Sequence, residues 1–206
     1  VSMEVDPMSG QKTGMFLDQR ENRALFSSLA IEGETALDLF SYTGSWALAL
    51  ASKGVSVTGV DSSDAAVTQA TRNAELNGLT DRCKFIKSDV FEFTKAELSR
   101  GAKYSIVVLD PPAFVKSKQK MKEGLRAYRE LNGLCMKLLK RGGLLATSSC
   151  SYHVDKAAFA DMLRDAARDA GRTVRVVETR SQGKDHPVAL SVPETEYLKC
   201  VIAEIE

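Results

Sequence analysis

The period of apolar and polar positions changes repeatedly along this chain. Residues 35–40 (Thr-Ala-Leu-Asp-Leu-Phe) are a short apolar run ending at a turn, and 55–60 alternates with β-branched residues, which predicts two strands. Runs at 83–86, 104–109 and 144–149 predict three more, the second broken at once by Pro111-Pro112. Between them the spacing is helical. The predicted helices cover 46–53, 63–76, 90–98, 124–139 and 155–170. Ser62-Ser63-Asp64 can cap the second of these and Asn77-Gly78 stops it, while Arg141-Gly142-Gly143 closes the fourth and Gly171 the fifth. Strands at 173–179 and 196–205 follow with no helix between them. Strands alternating with helices of this length predict an α/β fold with a mostly parallel seven-stranded sheet and helices on both faces. The last two strands are expected to form an antiparallel edge pair.

The chain has 206 residues, 44% apolar and 27% charged, which is ordinary globular usage for one domain. A balance of 28 basic to 27 acidic residues gives a net charge of +1. That excludes a strongly basic nucleic-acid coat protein and an acidic disordered tail, but not an enzyme with a locally basic face. No run of 18 apolar residues predicts a membrane span, and the opening residues carry no secretory leader. Residues 1–7 read as an extended strand entering a turn, the tail of a longer protein. The cysteines (Cys83, Cys135, Cys150 and Cys200) form neither a C-x-x-C pair nor a disulfide framework, so no metal site is expected and the setting is read as cytoplasmic.

In an open α/β sheet, ligands bind beyond the carboxyl ends of the strands, so the loops there carry the candidate chemistry. The first is Asp38-Leu-Phe40-Ser-Tyr42-Thr-Gly44, where the chain turns on one glycine that would let a ligand approach the backbone. It lacks the G-x-G-x-x-G of a pyrophosphate cradle, and the acid ahead of the glycine suits a cationic ligand without phosphates. Asp61 follows Gly44 by 17 residues, close to the ~20 expected of a ribose-binding carboxylate; it could equally cap the next helix, as could Ser62 or Ser63. Asp89 either bonds an adenine amine, with Val90 packing on the ring, or caps its own helix. Asp110-Pro111-Pro112-Ala-Phe114 is a stiff turn whose unused carbonyls can face a substrate amine, with Phe114 as a stacking face for a planar base. Lys116, Lys118, Lys120 and Lys122 are either phosphate contacts or a solvated loop.

These motifs, in this order, resemble the class I S-adenosylmethionine-dependent methyltransferases over about residues 35–150. Thr13-Gly-Met-Phe-Leu-Asp-Gln-Arg20, Thr147-Ser-Ser-Cys150-Ser151, Asp185-His-Pro187 and Tyr197-Leu-Lys199 extend the resemblance to nearly the whole chain. With them the chain looks like the RlmI-type ribosomal RNA large-subunit cytosine-C5 methyltransferases. The resemblance implies a Rossmann-like fold, S-adenosyl-L-methionine as cofactor and ribosomal RNA as partner, and leaves a homodimer open. It implies a cofactor pocket lined by Asp38, Phe40, Tyr42, Gly44, Asp61, Ser62, Asp89, Val90 and Asp110, closed by Phe16 and Arg20. Pro111, Pro112, Phe114 and Lys116 fall on the substrate side. Members of that family carry a PUA domain and a small linking domain ahead of the catalytic one. Residues 1–12 are accordingly expected to be the tail of that part, and 13–206 the methyltransferase domain.

Cytosine C5 is a poor nucleophile, and addition of a thiolate at C6 turns the ring into an enamine that can take a methyl group. Cys150, at a strand end, is placed for this, whereas Cys83, Cys135 and Cys200 read as core or surface residues. Asp110 could bond the cytosine N3 or its amine. Asp110, His186 or water could remove the C5 proton, and the residues do not choose among them. The rival readings are a same-fold enzyme methylating a guanine or adenine nitrogen without an adduct, a nicotinamide oxidoreductase, and a non-catalytic RNA-binding module.

Overall fold

The computed structural model describes residues 1–4 and 14–206. The expected turn at Pro7, the domain boundary at residue 12 and Thr13 lie outside the described residues. Residues 1–4 are bound to the helix at Asp64–Leu76 and its C-cap: Ser2 exchanges hydrogen bonds with the Asn77 side chain at 2.8 and 2.6 Å, and the Glu4 amide donates to Asn73 Oδ1 at 2.8 Å.

Seven strands, β1 (Thr35–Leu39), β2 (Ser56–Asp61), β3 (Cys83–Lys87), β4 (Tyr104–Leu109), β5 (Leu139–Ser149), β6 (Val174–Arg180) and β7 (Lys199–Ile205), form one sheet in the order β3-β2-β1-β4-β5-β7-β6. β1 to β5 are parallel, and β7 runs antiparallel between β5 and β6. The C-terminal pair is therefore antiparallel as expected, with β6 as the edge and β7 buried. The helices are α1 (Arg20–Ser28), α2 (Ser45–Ala51), α3 (Asp64–Leu76), α4 (Val90–Ser99), α5 (Met121–Leu138) and α6 (Lys156–Ala170).

Alternation along the buried strands divides the core in two. Leu37, Leu39, Val107 and Leu109 pack with Tyr128, Leu131 and Phe159 of α5 and α6. Ala36, Ile106 and Val108 face the other way, onto Phe26, Trp46 and Leu50 of α1 and α2.

One helix departs from its predicted span. α5 begins at Met121 rather than 124, because the lysine run forms a 3-10 turn (Lys118–Lys120) that feeds it. Gly124 is inside the helix: a Cβ there would lie 2.8 Å from the Phe114 carbonyl oxygen, so glycine lets α5 press against the double-proline loop. The helix also ends at Leu138, and Leu139 is already extended and paired with Tyr104. Gly142, with φ of +77°, and Gly143 belong to the irregularity that re-registers β5 against β4, not to a helix stop. β7 starts at Lys199, three residues later than predicted, since Pro193–Thr195 forms a 3-10 turn.

Candidate active site

The chain steps outward from β1 through β2 to β3, then returns to place β4 on the other side of β1, so the strand order reverses between β1 and β4. A crevice at such a reversal, beyond the carboxyl ends of the strands, is where open α/β sheets bind ligands. The loops after β1 and β4 flank it, with Leu39 and Leu109 as the last paired residues.

The loop after β1 is held in an unusual conformation. Phe40 and Tyr42 have φ of 62° and 46°, a region that costs non-glycine residues energy and persists only where surroundings enforce it. The enforcement is visible. The Ser41 amide donates to the Val60 carbonyl at 3.0 Å, and the Tyr42 amide donates to Asp61 Oδ2 at 3.0 Å. Gly44 adopts φ of 85°, and a Cβ there would lie 2.9 Å from the Phe85 ring. The glycine is thus required for packing against β3 and α3, a second reason for it besides the backbone approach expected from the sequence.

Asp38 is fully buried and accepts from the Ala47 amide at 3.0 Å. Burial, only partly offset by that bond, pushes its pKa up to about 8. It acts on the crevice through the turn it holds, so the expected direct contact with a cationic ligand is corrected to a positioning role. Its Oδ1, with Ser41 Oγ and Thr43 Oγ1, is buried without a hydrogen-bond partner among the described residues.

Asp61 and Asp89 separate in role. Ser63 caps α3, accepting from the Ala66 amide, which frees Asp61 from that task; Ser62 is exposed. The Asp61 carboxylate spans the β1 loop and its own, accepting from Tyr42 and Ser63 amides at 3.0 and 2.9 Å. Asp89 is exposed and caps α4 through Glu92 at 3.0 Å, with Val90 buried behind it. Phe16 meets Tyr42 edge-on at 5.4 Å between ring centroids, at the lip of the same loop. Arg20 is turned to the surface instead, 3.6 Å from Asp185.

Asp110 is half-buried, and both its oxygens are engaged. Gln19 donates to Oδ1 at 2.9 Å and the Trp46 indole to Oδ2 at 3.0 Å. Burial raises its proton affinity; these two bonds oppose that rise. Gln19 also donates to Ser148 Oγ at 2.9 Å and is held by Asn22 at 2.7 Å. Arg23, buried in α1, is coupled electrostatically to Asp18, Asp38 and Asp110 and balances them, although burial weakens its own hold on a proton.

Cys150 follows β5 directly. It is half-buried, and its Sγ lies 4.0 Å from the Pro111 carbonyl oxygen, so the thiol and the Asp110-Pro-Pro turn share one wall of the crevice. The turn and the cysteine loop are joined through Tyr128 of α5. Its hydroxyl lies 3.0 Å from both Ser149 Oγ and Ser151 Oγ, and Ser151 Oγ accepts from the Val115 amide at 3.1 Å. Phe114 packs on Tyr128 at 4.8 Å and on Phe40 at 6.1 Å. Its partly buried ring thus joins an aromatic cluster. Pro111 is buried, while Pro112 and Lys116 are exposed. Burial pushes the Cys83 and Cys200 thiols up to about 12 and raises that of Cys135, which disfavours all three as thiolates.

Arg23, Trp46 and Tyr128 escape the sequence reading, and Gln19 and Lys199 enter it only as members of motifs, with no role of their own. Arg23, Trp46 and Tyr128 lie on helices, where periodicity marks them only as core positions.

This fold and crevice define a Rossmann-like methyltransferase class. The sequence profile described as "Methyltransferase domain" matches residues 31–190, and the chain belongs to that family. It is 40% identical over 207 aligned residues to "Ribosomal RNA large subunit methyltransferase I" of Pseudoalteromonas atlantica, covering 100% of this chain and 52% of that protein. It is 41% identical over 197 residues to the protein of the same name from Escherichia coli O139:H28, covering 95% and 50%. The crystal structure of SMU.776 complexed with SAH superposes with a TM-score of 0.84 at 25% identity, covering 95% of this chain and 51% of that one. The chain spans about half the length of the curated relatives it matches. No described helix is long and apolar enough to cross a membrane.

Proposed function

We propose that this chain transfers a methyl group from S-adenosyl-L-methionine to C5 of a cytosine in large-subunit ribosomal RNA, through a transient bond to Cys150. The carrying observation is the half-buried sulfur 4.0 Å from the Pro111 carbonyl, at the end of a central strand beside the crevice. The relatives' names supply the ribosomal RNA.

The residues present fit the methyl donor. The strained β1 loop, with its buried unpartnered oxygens at Ser41 and Thr43, is the kind of backbone that bound ligands stabilise. Asp61 would take the ribose hydroxyls, Asp89 and Val90 the adenine, and Phe16 with Tyr42 the lid. Arg20 would reach the pocket only by leaving Asp185. When bound, the donor supplies an electrophilic methyl on a sulfonium.

The chain's own residues do the rest. The Cys150 thiolate adds to C6 of the cytosine, forming an S–C bond, and the ring's electron density moves toward C5 and N3. Asp110, whose burial favours its protonated form, can give its proton to N3 as that density builds. After C5 has taken the methyl, the C5 proton passes to water, its electron pair restores the C5–C6 double bond, the S–C6 bond breaks to regenerate the Cys150 thiolate, and N3 returns its proton to the Asp110 carboxylate. An open groove in the segment that follows Cys150 is lined by Lys118, Tyr152, His153, Lys156 and Lys199, with the acids Asp155 and Glu196. Half-exposed Tyr152 meets His153 edge-on at 5.2 Å and offers a stacking face for a flanking base. Lys118 in its lining is available for a phosphate.

RNA carrying 5-fluorocytosine tests this, because fluorine cannot leave as a proton does and the adduct persists. Denaturant-stable protein–RNA complex should form with S-adenosylmethionine and vanish in Cys150→Ser. Undiminished methylation by Cys150→Ser would instead point to a base nitrogen as acceptor.

A further inference from the structure

We infer that Lys199 is the counter-ion that holds Cys150 as a thiolate, which makes it a positioning residue for the nucleophile. The inference rests on the reading of Cys150 given above. It begins with a buried charge that has no carboxylate partner. Lys199 is only 4% exposed, yet among the described residues it forms no ion pair. Its ammonium donates to two carbonyl oxygens, those of Ser151 at 2.7 Å and Tyr197 at 2.8 Å. A buried ammonium bonded only to neutral oxygens is costly unless an anion stands nearby.

The topology says which anion. Lys199 is the cross-strand partner of Ser149 in the last rung of the β5–β7 ladder. Cys150 is the next residue after that rung, and Ser151, whose carbonyl the ammonium grips, is the one after. Lys199 therefore clamps the backbone on one side of Cys150, as Tyr128 clamps the side chains of Ser149 and Ser151 on the other.

The other charged groups around Lys199 are already committed. Among those facing it, Cys150 exerts the largest attraction, ahead of Asp155 and Glu196. Asp155 caps α6, accepting from Ala158 at 2.7 Å, and Glu196 is ion-paired with Lys156 at 2.5 Å. Cys150 is faced in addition by two phenols, Tyr128 and Tyr197. Tyr197 is bound to Asp18 at 2.7 Å and Tyr128 to the two serines, and burial disfavours ionisation of both. Among the described residues, Lys199 is thus the cation that faces this group. Burial brings its own pKa down to about 8, and the attraction of Cys150 opposes that fall.

The test needs no RNA. Alkylation by iodoacetamide reads the thiolate alone, and mass mapping of the Cys150 peptide separates it from the other three cysteines. In the parent protein the rate should rise with a midpoint at least about one pH unit below the ~8.5 of a free thiol. Lys199→Met should move that midpoint up by about one unit, a roughly tenfold slower reaction at pH 7. Lys199→Arg, which keeps the charge, should move it by only a few tenths. An unshifted midpoint in folded Lys199→Met overturns the inference. Should that variant not fold, the thiolate absorbance of parent minus Cys150→Ser decides: a midpoint at or above about 8.5 overturns it. Failure here leaves the RNA adduct untouched, and loss of the adduct claim leaves this titration readable.

Discussion

Asp38 shows how a single carboxyl group can be legible in sequence and still be misassigned. Its place ahead of a lone glycine marks it as a site acid, yet it is sealed from solvent and bound to the Ala47 amide. With a folded pKa near 8 against an unfolded value near 3.8, it is protonated in the native protein and ionised in the unfolded chain between these limits. The native state then binds more protons, so stability attributable to Asp38 is fully present below about pH 4 and is lost as pH rises to about 8. Asp38→Asn mimics the protonated form and keeps an acceptor for Ala47. Chemical denaturation from pH 4.5 to 8.5 should show the parent losing stability by some kcal/mol relative to the variant. Parallel curves would mean that Asp38 is ionised in the fold.

At the scale of elements, the loop after β1 takes its shape from a strand two places away. Phe85 of β3 fills the space over Gly59 of β2 and Gly44, with a notional Cβ on Gly59 only 2.5 Å from the ring. Gly59→Ala should cost about 1–3 kcal/mol in urea unfolding, and a smaller residue at 85 should recover part of it. If the two substitutions are simply additive, the ring does not support the loop. Such contacts explain which elements the hydrophobic pattern predicts well. Strands and helices come from local periodicity, and most of their bounds agree within a residue or two. The exception is α5 and β5, where Gly142-Gly143 reads locally as a helix stop and works as a sheet irregularity. Nothing in the local sequence distinguishes these, because a positive φ serves either purpose.

For the molecule as a whole, residues 181–198 are clasped to the first turns of the described domain. The Gly183 amide donates to the Asp18 carbonyl at 2.8 Å, Asn22 to the Ser181 carbonyl at 3.1 Å, and Tyr197 to the buried Asp18 carboxylate at 2.7 Å. The same turns carry Gln19, which holds Asp110. The C-terminal segment therefore braces the crevice from nearly 180 residues away in sequence. Tyr197→Phe removes a donor from a buried carboxylate and should lower stability by about 1.5–3 kcal/mol. Limited proteolysis should then cut more readily among residues 184–192. An unchanged melting temperature and cleavage pattern would show that the clasp is held without this bond.

Periodicity and turn residues were sufficient to determine the alternating α/β plan and the loops that follow its strands, and strand-end position was sufficient to nominate Cys150 among four cysteines as a candidate. These are local properties, written within a few residues of each site. Only the tertiary structure decided that Asp38 is sealed while Asp89 is exposed, that Phe114 packs on Tyr128, and that Gln19, Tyr128 and Lys199 converge on the Asp110 and Cys150 turns. Burial and long-range pairing set those outcomes, because a side chain's charge state and partners depend on what the rest of the chain removes from water around it.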